Sequence, residues 1–199
     1  MNMIKSRVPT FFAAAIAAFA LSLGATNARA AESFTIDGNH SYVVFKVLHL
    51  GVSNNWGRFN DISGTVNFDE ANPEKSSVNL VIKADSVDTG VAKRDKHLRD
   101  TDFFSAKEFP VITFKSKKVV KKGDKQYEVT GDLFLHGVTK EITTTFTHTG
   151  TMEKDPWGNK RVGGETEFTI DRTDFGINYR PEVVGTKVTI HAAFEAIHK

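Results

Sequence analysis

The sequence predicts an all-β protein built as one domain of about eight antiparallel strands, interrupted once by a short helical segment. Three observations predict it. From Phe34 onward, segments rich in Val, Ile, Thr and Phe alternate apolar and polar residues with a period of two. Gly, Asn, Asp and Pro clusters separate those segments as turns. The 199 residues, 40% hydrophobic and 25% charged, have the length and composition of one globular domain. A closed barrel suits the pattern because it leaves no sheet edge exposed, with two packed sheets as the alternative that alternation alone does not separate. A barrel of eight strands is wide enough to enclose one small apolar ligand.

The first element is not part of that domain. Lys5 and Arg7 precede an apolar run, Phe11 to Leu23, which ends in Ala28-Arg29-Ala30. Basic, apolar and small-residue regions in that order mark a secretory signal peptide cut after Ala30. The run is shorter than the ~20 residues of a membrane-spanning helix. Residues 1–30 are therefore expected to be removed and 31–199 to fold. The cut takes three of the 26 basic residues and no acidic one, so 23 basic face 24 acidic residues and the mature charge is −1. Nothing in that balance points to nucleic acid or an anionic surface as the main partner.

Ser41 to His49 reads as the first strand, and Ile62, Gly64, Val66 and Phe68 give the next apolar face, closed by the Asn72-Pro73 turn. Val78, Leu80, Ile82 and Ala84 follow. Between Val87 and Pro110 the alternation stops: Ala92 to Arg99 is a short charged helical stretch leading into Asp102-Phe103-Phe104. Phe103, Phe104 and Phe109 are too apolar for a free loop, which makes this segment a lid or plug against one end of the fold. Strands resume at Ile112 and Phe114, at Val129 and Leu133 up to His136-Gly137, and at Ile142 and Phe146. Asp155-Pro156-Trp157-Gly158-Asn159 is a long hairpin tip; Phe168 and Ile170, then Val188, Ile190, Ala192 and Phe194, complete the set. Lys117, Lys118, Lys121, Lys122 and Lys125 flank Gly123-Asp124, and read as a solvated turn.

The chemistry is bounded mostly by what is missing. There is no cysteine, so thiol nucleophiles, thiolate metal sites and CxxC redox chemistry are excluded. GxSxG, HExxH, Walker A, GxGxxG and EF-hand patterns are absent. His97-Leu98-Arg99-Asp100 and Asp174-Phe175-Gly176 imitate kinase landmarks in a chain of the wrong fold. The seven histidines are scattered one to an element without metal-ligand spacing. His97, with Asp95 orienting it, has a base-like arrangement but no nucleophile to serve. No catalytic residue, metal ligand or cofactor is assigned. Thirteen of the 16 phenylalanines lie after residue 30, which fits either a packed aromatic core or the wall of an apolar cavity.

Several motifs resemble the YceI family of bacterial proteins. Asp37, His40-Ser41, Phe45, His49-Leu50-Gly51, Ser53, Gly57 with Phe59, and Gly64-Thr65 with Phe68-Asp69 are similar to its opening pattern. Ser86-Val87-Asp88-Thr89, Arg94 through Arg99, Asp102-Phe103, Phe109-Pro110 and Thr113-Phe114 resemble its central signature. Gly131-Asp132-Leu133 and His136 through Lys140 resemble the next one, and Asp155 through Gly158 and Arg172 with Asp174-Phe175-Gly176 are also similar to family members. The resemblance spans about Phe34 to Phe194. It departs at Phe134, where a polar Thr is usual, and over residues 178–185, which follow no family pattern.

That resemblance implies a lipocalin-like eight-stranded antiparallel barrel in the periplasm, a homodimer in some relatives, and an elongated apolar channel for a polyisoprenoid or similar long-chain amphiphile. It implies no catalytic residues and shifts the phenylalanines from core to cavity. Strand parity then makes Phe45, Val47, Ile82, Phe114, Leu133, Phe146, Phe168 and Ile190 the expected channel lining, subject to reversal by a bulge. Arg94 and His97 are head-group candidates near the lid, weighed against a structural tie at the rim. The expected activity is that of a carrier or reservoir for an isoprenoid lipid, a quinone or a polyprenyl chain. Rival readings are a partner that presents a quinone to an inner-membrane enzyme by transient contact, and a His-dependent metal-binding stress protein.

Overall fold

The computed structural model describes residues 31–198; the expected signal peptide, residues 1–30, lies outside them. The chain forms β1 (Glu32–Ile36), β2 (Tyr42–His49), β3 (Ser53–Phe59), β4 (Ile62–Phe68), β5 (Ser77–Lys83), β6 (Val87–Asp88), α1 (Ala92–Arg99), β7 (Val111–Gly123), β8 (Gln126–Leu135), β9 (Val138–Met152), β10 (Lys160–Asp171) and β11 (Val184–His198). Every pairing is antiparallel, in the order β1-β4-β5-β7-β8-β9-β10-β11, and β11 returns to β1 through Thr35–Ile197 and Ile36–Ala196. That last ladder closes an eight-stranded barrel and removes the sandwich alternative.

The remaining three segments are continuations. β2 extends β1 beyond a turn at Gly38–His40 and pairs with β11, β3 runs into β4 across Asn60-Asp61 and pairs with β2, and β6 extends β5 beyond the turn Ala84–Ser86. The barrel therefore has eight staves, the first three each broken once. One end, the lid end, carries the β2–β3 hairpin, α1, the β8–β9 turn and the β10–β11 connection. The opposite end carries the start of β1, the β7–β8 turn and the Asp155–Asn159 tip.

Alternation places Phe34, Ile36, Val43, Phe45, Val66, Ile82, Ile112, Leu133 and Val162 inside, all buried in one apolar cluster. Val119, Tyr127 and Val129 form a second cluster, packed against Phe68, Phe114 and Phe146. The β7–β8 turn is solvated as expected: Lys117 pairs with Asp132 at 2.5 Å and Glu141 at 3.2 Å, and Lys122 with Glu128 at 3.0 Å.

α1 spans the residues that the sequence predicts. Its strong helix formers carry no apolar stripe, so it needs local support. Asp95 supplies it by accepting from the Thr89 N–H at 2.8 Å and the Thr89 hydroxyl at 2.5 Å, which also sets a negative charge in the first turn. Arg99 fastens the other end, donating to the carbonyls of Asp85 at 2.7 Å and Val87 at 3.0 Å.

Candidate functional site

The barrel encloses a cavity of about 230 Å³. Each stave contributes to its wall, and the inward set on β2, β5, β7, β8, β9, β10 and β11 includes Phe45, Val47, Ile82, Phe114, Leu133, Phe146, Phe168 and Ile190. Those are the eight residues that parity selects from the sequence, and the structure brings all of them to one space. The aromatic ones are held by packing. The rings of Phe146 and Phe194 stack at 5.3 Å and 10°, and Phe45 meets Phe59 at 5.7 Å.

The lid end of the cavity is closed by the segment after α1. Leu98, Phe103 and Phe104 line the wall, and the Phe104 ring packs edge-on against Phe59 at 5.4 Å and Phe45 at 6.5 Å. Phe109 turns instead to His136, at 5.0 Å between ring centroids. The phenylalanine-dense loop is thus a plug whose rings complete the wall.

Arg94 and His97 stand elsewhere. Arg94 donates from Nε to the Thr89 hydroxyl at 2.7 Å and from Nη2 to the Thr89 carbonyl at 2.9 Å. His97 Nε2 lies 2.8 Å from an Asp102 carboxylate oxygen, with its ring edge-on to Phe103 and Tyr179. Neither lines the cavity, because both side chains are spent on holding the lid segment together. Phe134 also lies off the wall: on β8 the inward residues are Tyr127, Val129, Leu133 and Leu135, which leaves Phe134 outward.

Two polar features escape a reading by alternation. Arg172 is buried at the edge of the cavity, 4% exposed. It donates to the carbonyls of Ile177 at 2.6 Å, Tyr179 at 2.8 Å, Val184 at 2.6 Å and Gly185 at 3.0 Å. Burial lowers its pKa, opposed by the nearby charge of Asp171. This one guanidinium organises residues 177–185, which take in the stretch 178–185 that follows no family pattern. At the opposite end Tyr127 is fully buried, its pKa pushed up first by burial and then by the charges of Glu70 and Asp124.

The histidines do not converge. His40 lies beside Asp37, His136 beside the Phe175 carbonyl, His148 beside Thr151, His191 beside Glu167 and His198 beside the Ser33 carbonyl. Among the described residues, one group of metal-ligand type gathers within 4.8 Å: Asp37, His40 and Glu195. The Arg161 guanidinium already pairs with both of its carboxylates. A cation there would have to displace another cation.

A closed antiparallel barrel whose staves all present apolar side chains to one enclosed space defines a binding protein of the lipocalin type of architecture. Comparison with known sequences then gives the family. The YceI-like domain model matches residues 34–196, and the chain belongs to that family. It is similar to Protein YceI of Salmonella agona, 45% identical over 161 residues that cover 80% of this chain and 83% of that one. Among solved structures it is similar to the YceI protein of Campylobacter jejuni, with a TM-score of 0.69 and 32% identity over 76% of this chain and 90% of that one. The fold also matches a domain from Saccharophagus degradans described as polyisoprenoid binding, with a TM-score of 0.67 and 18% identity over 84% of this chain and 99% of that one.

Proposed function

We propose that the chain is an exported periplasmic carrier or reservoir for an isoprenoid lipid, a polyprenyl or quinone-type chain, held in the barrel without chemistry. The observation that carries this reading is the wall: an enclosed space lined by Val, Leu, Ile and Phe from every stave and by the Phe103-Phe104 plug. Such a wall recognises length and apolar surface. Burial at ~25 cal/mol per Å² supplies affinity without a dedicated head-group contact. The polyisoprenoid-binding description of the Saccharophagus degradans domain supports the same class of cargo. The family relationship and the lack of a nucleophile–base pair on the wall support binding over catalysis. Export rests on the basic, apolar and small-residue order of residues 1–30.

The test is native mass spectrometry of protein purified from the periplasm without detergent, with organic extraction of what it carries. A stoichiometric long-chain lipid is the expected result and names the cargo. A second arm uses Ala192→Trp, which projects a large side chain into the cavity from β11; it should lower occupancy about tenfold or more, each tenfold being ~1.4 kcal/mol of lost burial. Protein that is empty as isolated and takes up no added polyprenyl lipid would overturn the carrier reading.

A further inference from the structure

The hairpin between β2 and β3 ends in a turn whose residues do not suit it. The Val52 N–H donates to the His49 carbonyl at 3.0 Å, and both central residues are left-handed, Leu50 at φ 52° and Gly51 at φ 68°. This geometry is that of a type I′ turn, which favours Asn, Asp or Gly at its first central position because a larger side chain strains a left-handed backbone. Leu50 occupies that position and is 59% exposed; its neighbours Val52 and Leu48 are 84% and 44% exposed. Neither turn preference nor packing accounts for three apolar side chains at one projecting tip.

The hairpin itself carries charges of one sign, and Glu182, beside the Val183 that Leu50 bonds, is paired with Arg180 at 3.1 Å. Residues 46–58 contain Lys46, His49 and Arg58 and no acidic residue. At the same end of the barrel α1 exposes Lys93 and Lys96, which make no ion pair among the described residues, while its own acid, Asp95, is buried under Thr89. The tip is also joined to the cavity: the Leu50 N–H donates to the Val183 carbonyl at 2.7 Å, and Val184 and Val47 lie on the wall.

We propose that the lid end of the barrel docks on an anionic phospholipid bilayer, with the Leu50–Val52 tip entering the acyl-chain boundary and Lys93 and Lys96 facing the headgroups. The strained leucine then meets an apolar phase, and the plugged lid end of the cavity comes to rest beside it. This goes beyond the carrier reading and is tested without cargo, so that either can fail alone.

The experiment is cosedimentation of residues 31–199, which contain the whole closed barrel, with vesicles of phosphatidylcholine alone or with about a quarter phosphatidylglycerol. Binding to the mixed vesicles is expected. Leu50→Asn places a favoured residue in the turn, so its melting temperature should hold or rise while its partition constant falls about tenfold or more. Lys93→Gln with Lys96→Gln should weaken binding to the mixed vesicles and leave the neutral ones unchanged. The proposal is overturned if the parent chain ignores both vesicles, or if Leu50→Asn binds like the parent. It is equally overturned if Leu50→Asn alters only the oligomeric state by size-exclusion chromatography, which would make the tip a contact between copies of this chain.

Discussion

A guanidinium inside an apolar barrel must find an oxygen for its donors, and Arg172 finds four backbone carbonyls between Ile177 and Gly185. A fork of planar donors can span those four oxygens; the compact ammonium of lysine cannot. Arg172→Lys should therefore lose about 2–4 kcal/mol of stability in urea titrations, the cost of leaving two or more buried carbonyls unsatisfied. An unchanged midpoint would show that the loop holds itself. Alternation offers no warning of this residue, because a buried Arg and an exposed one look alike in sequence. Asp155 makes a second prediction. Burial pulls its carboxyl up, but the Arg161 guanidinium at 2.5 Å and the N–H groups of Asn159 and Trp157 outweigh that and hold it at about 2. A carboxyl lowered in the folded state stabilises above its unfolded pKa and loses that contribution as pH falls through the folded value. The melting-temperature gap between the parent and Asp155→Asn should thus be constant above about pH 5 and close toward pH 2. A gap that widens on acidification would reverse the assignment.

Individual elements were legible wherever one face is buried along an unbroken run. The helix falls on Ala92–Arg99 and the strand around Val66 on Ile62–Phe68, as the pattern predicts. β3 is harder, because Ser53-Asn54-Asn55 has low strand preference and is extended only through its ladder to β2. β7 shows the other obstacle. The register shifts between Ser116 and Lys118, so Lys117 is an extra residue, and Val119 turns inward although simple alternation from Phe114 points it out. The eight wall residues were readable because none lies beyond such a bulge from its neighbours on the strand. β9 and β10 contain a second shift, at Gly163/Gly164, and there the glycine is needed for contact: a Cβ on Gly164 would stand 1.9 Å from the Phe146 ring. Gly164→Ala should displace that ring from its stack on Phe194 and cost about 1–3 kcal/mol by thermal denaturation. A neutral result would mean that Phe146 has another rotamer available.

At the scale of the whole molecule, closure of β11 on β1 is what turns a meander into a container. The two short pairs that accomplish it, Thr35–Ile197 and Ile36–Ala196, carry no sequence signal of their own. They follow from strand lengths and twist, which is why alternation alone left barrel and sandwich open and the barrel came from the family resemblance. The broken staves have a consequence for traffic. β6 pairs with β3 alone, while β7 pairs with β5, so above the break the third and fourth staves share no ladder. What spans that interval is α1 with its plug, pinned by side chains such as Arg99 rather than by strand hydrogen bonds. A long flexible molecule could thread between those staves while every ring-closing ladder stays intact, much as a slot in a cask passes a cord without loosening the hoops. Amide exchange should report it directly: α1 and residues 100–109 should exchange well ahead of β8 and β9, and under the proposed carrier role an added polyprenyl lipid should slow them selectively. Uniform exchange across lid and staves would place the passage elsewhere.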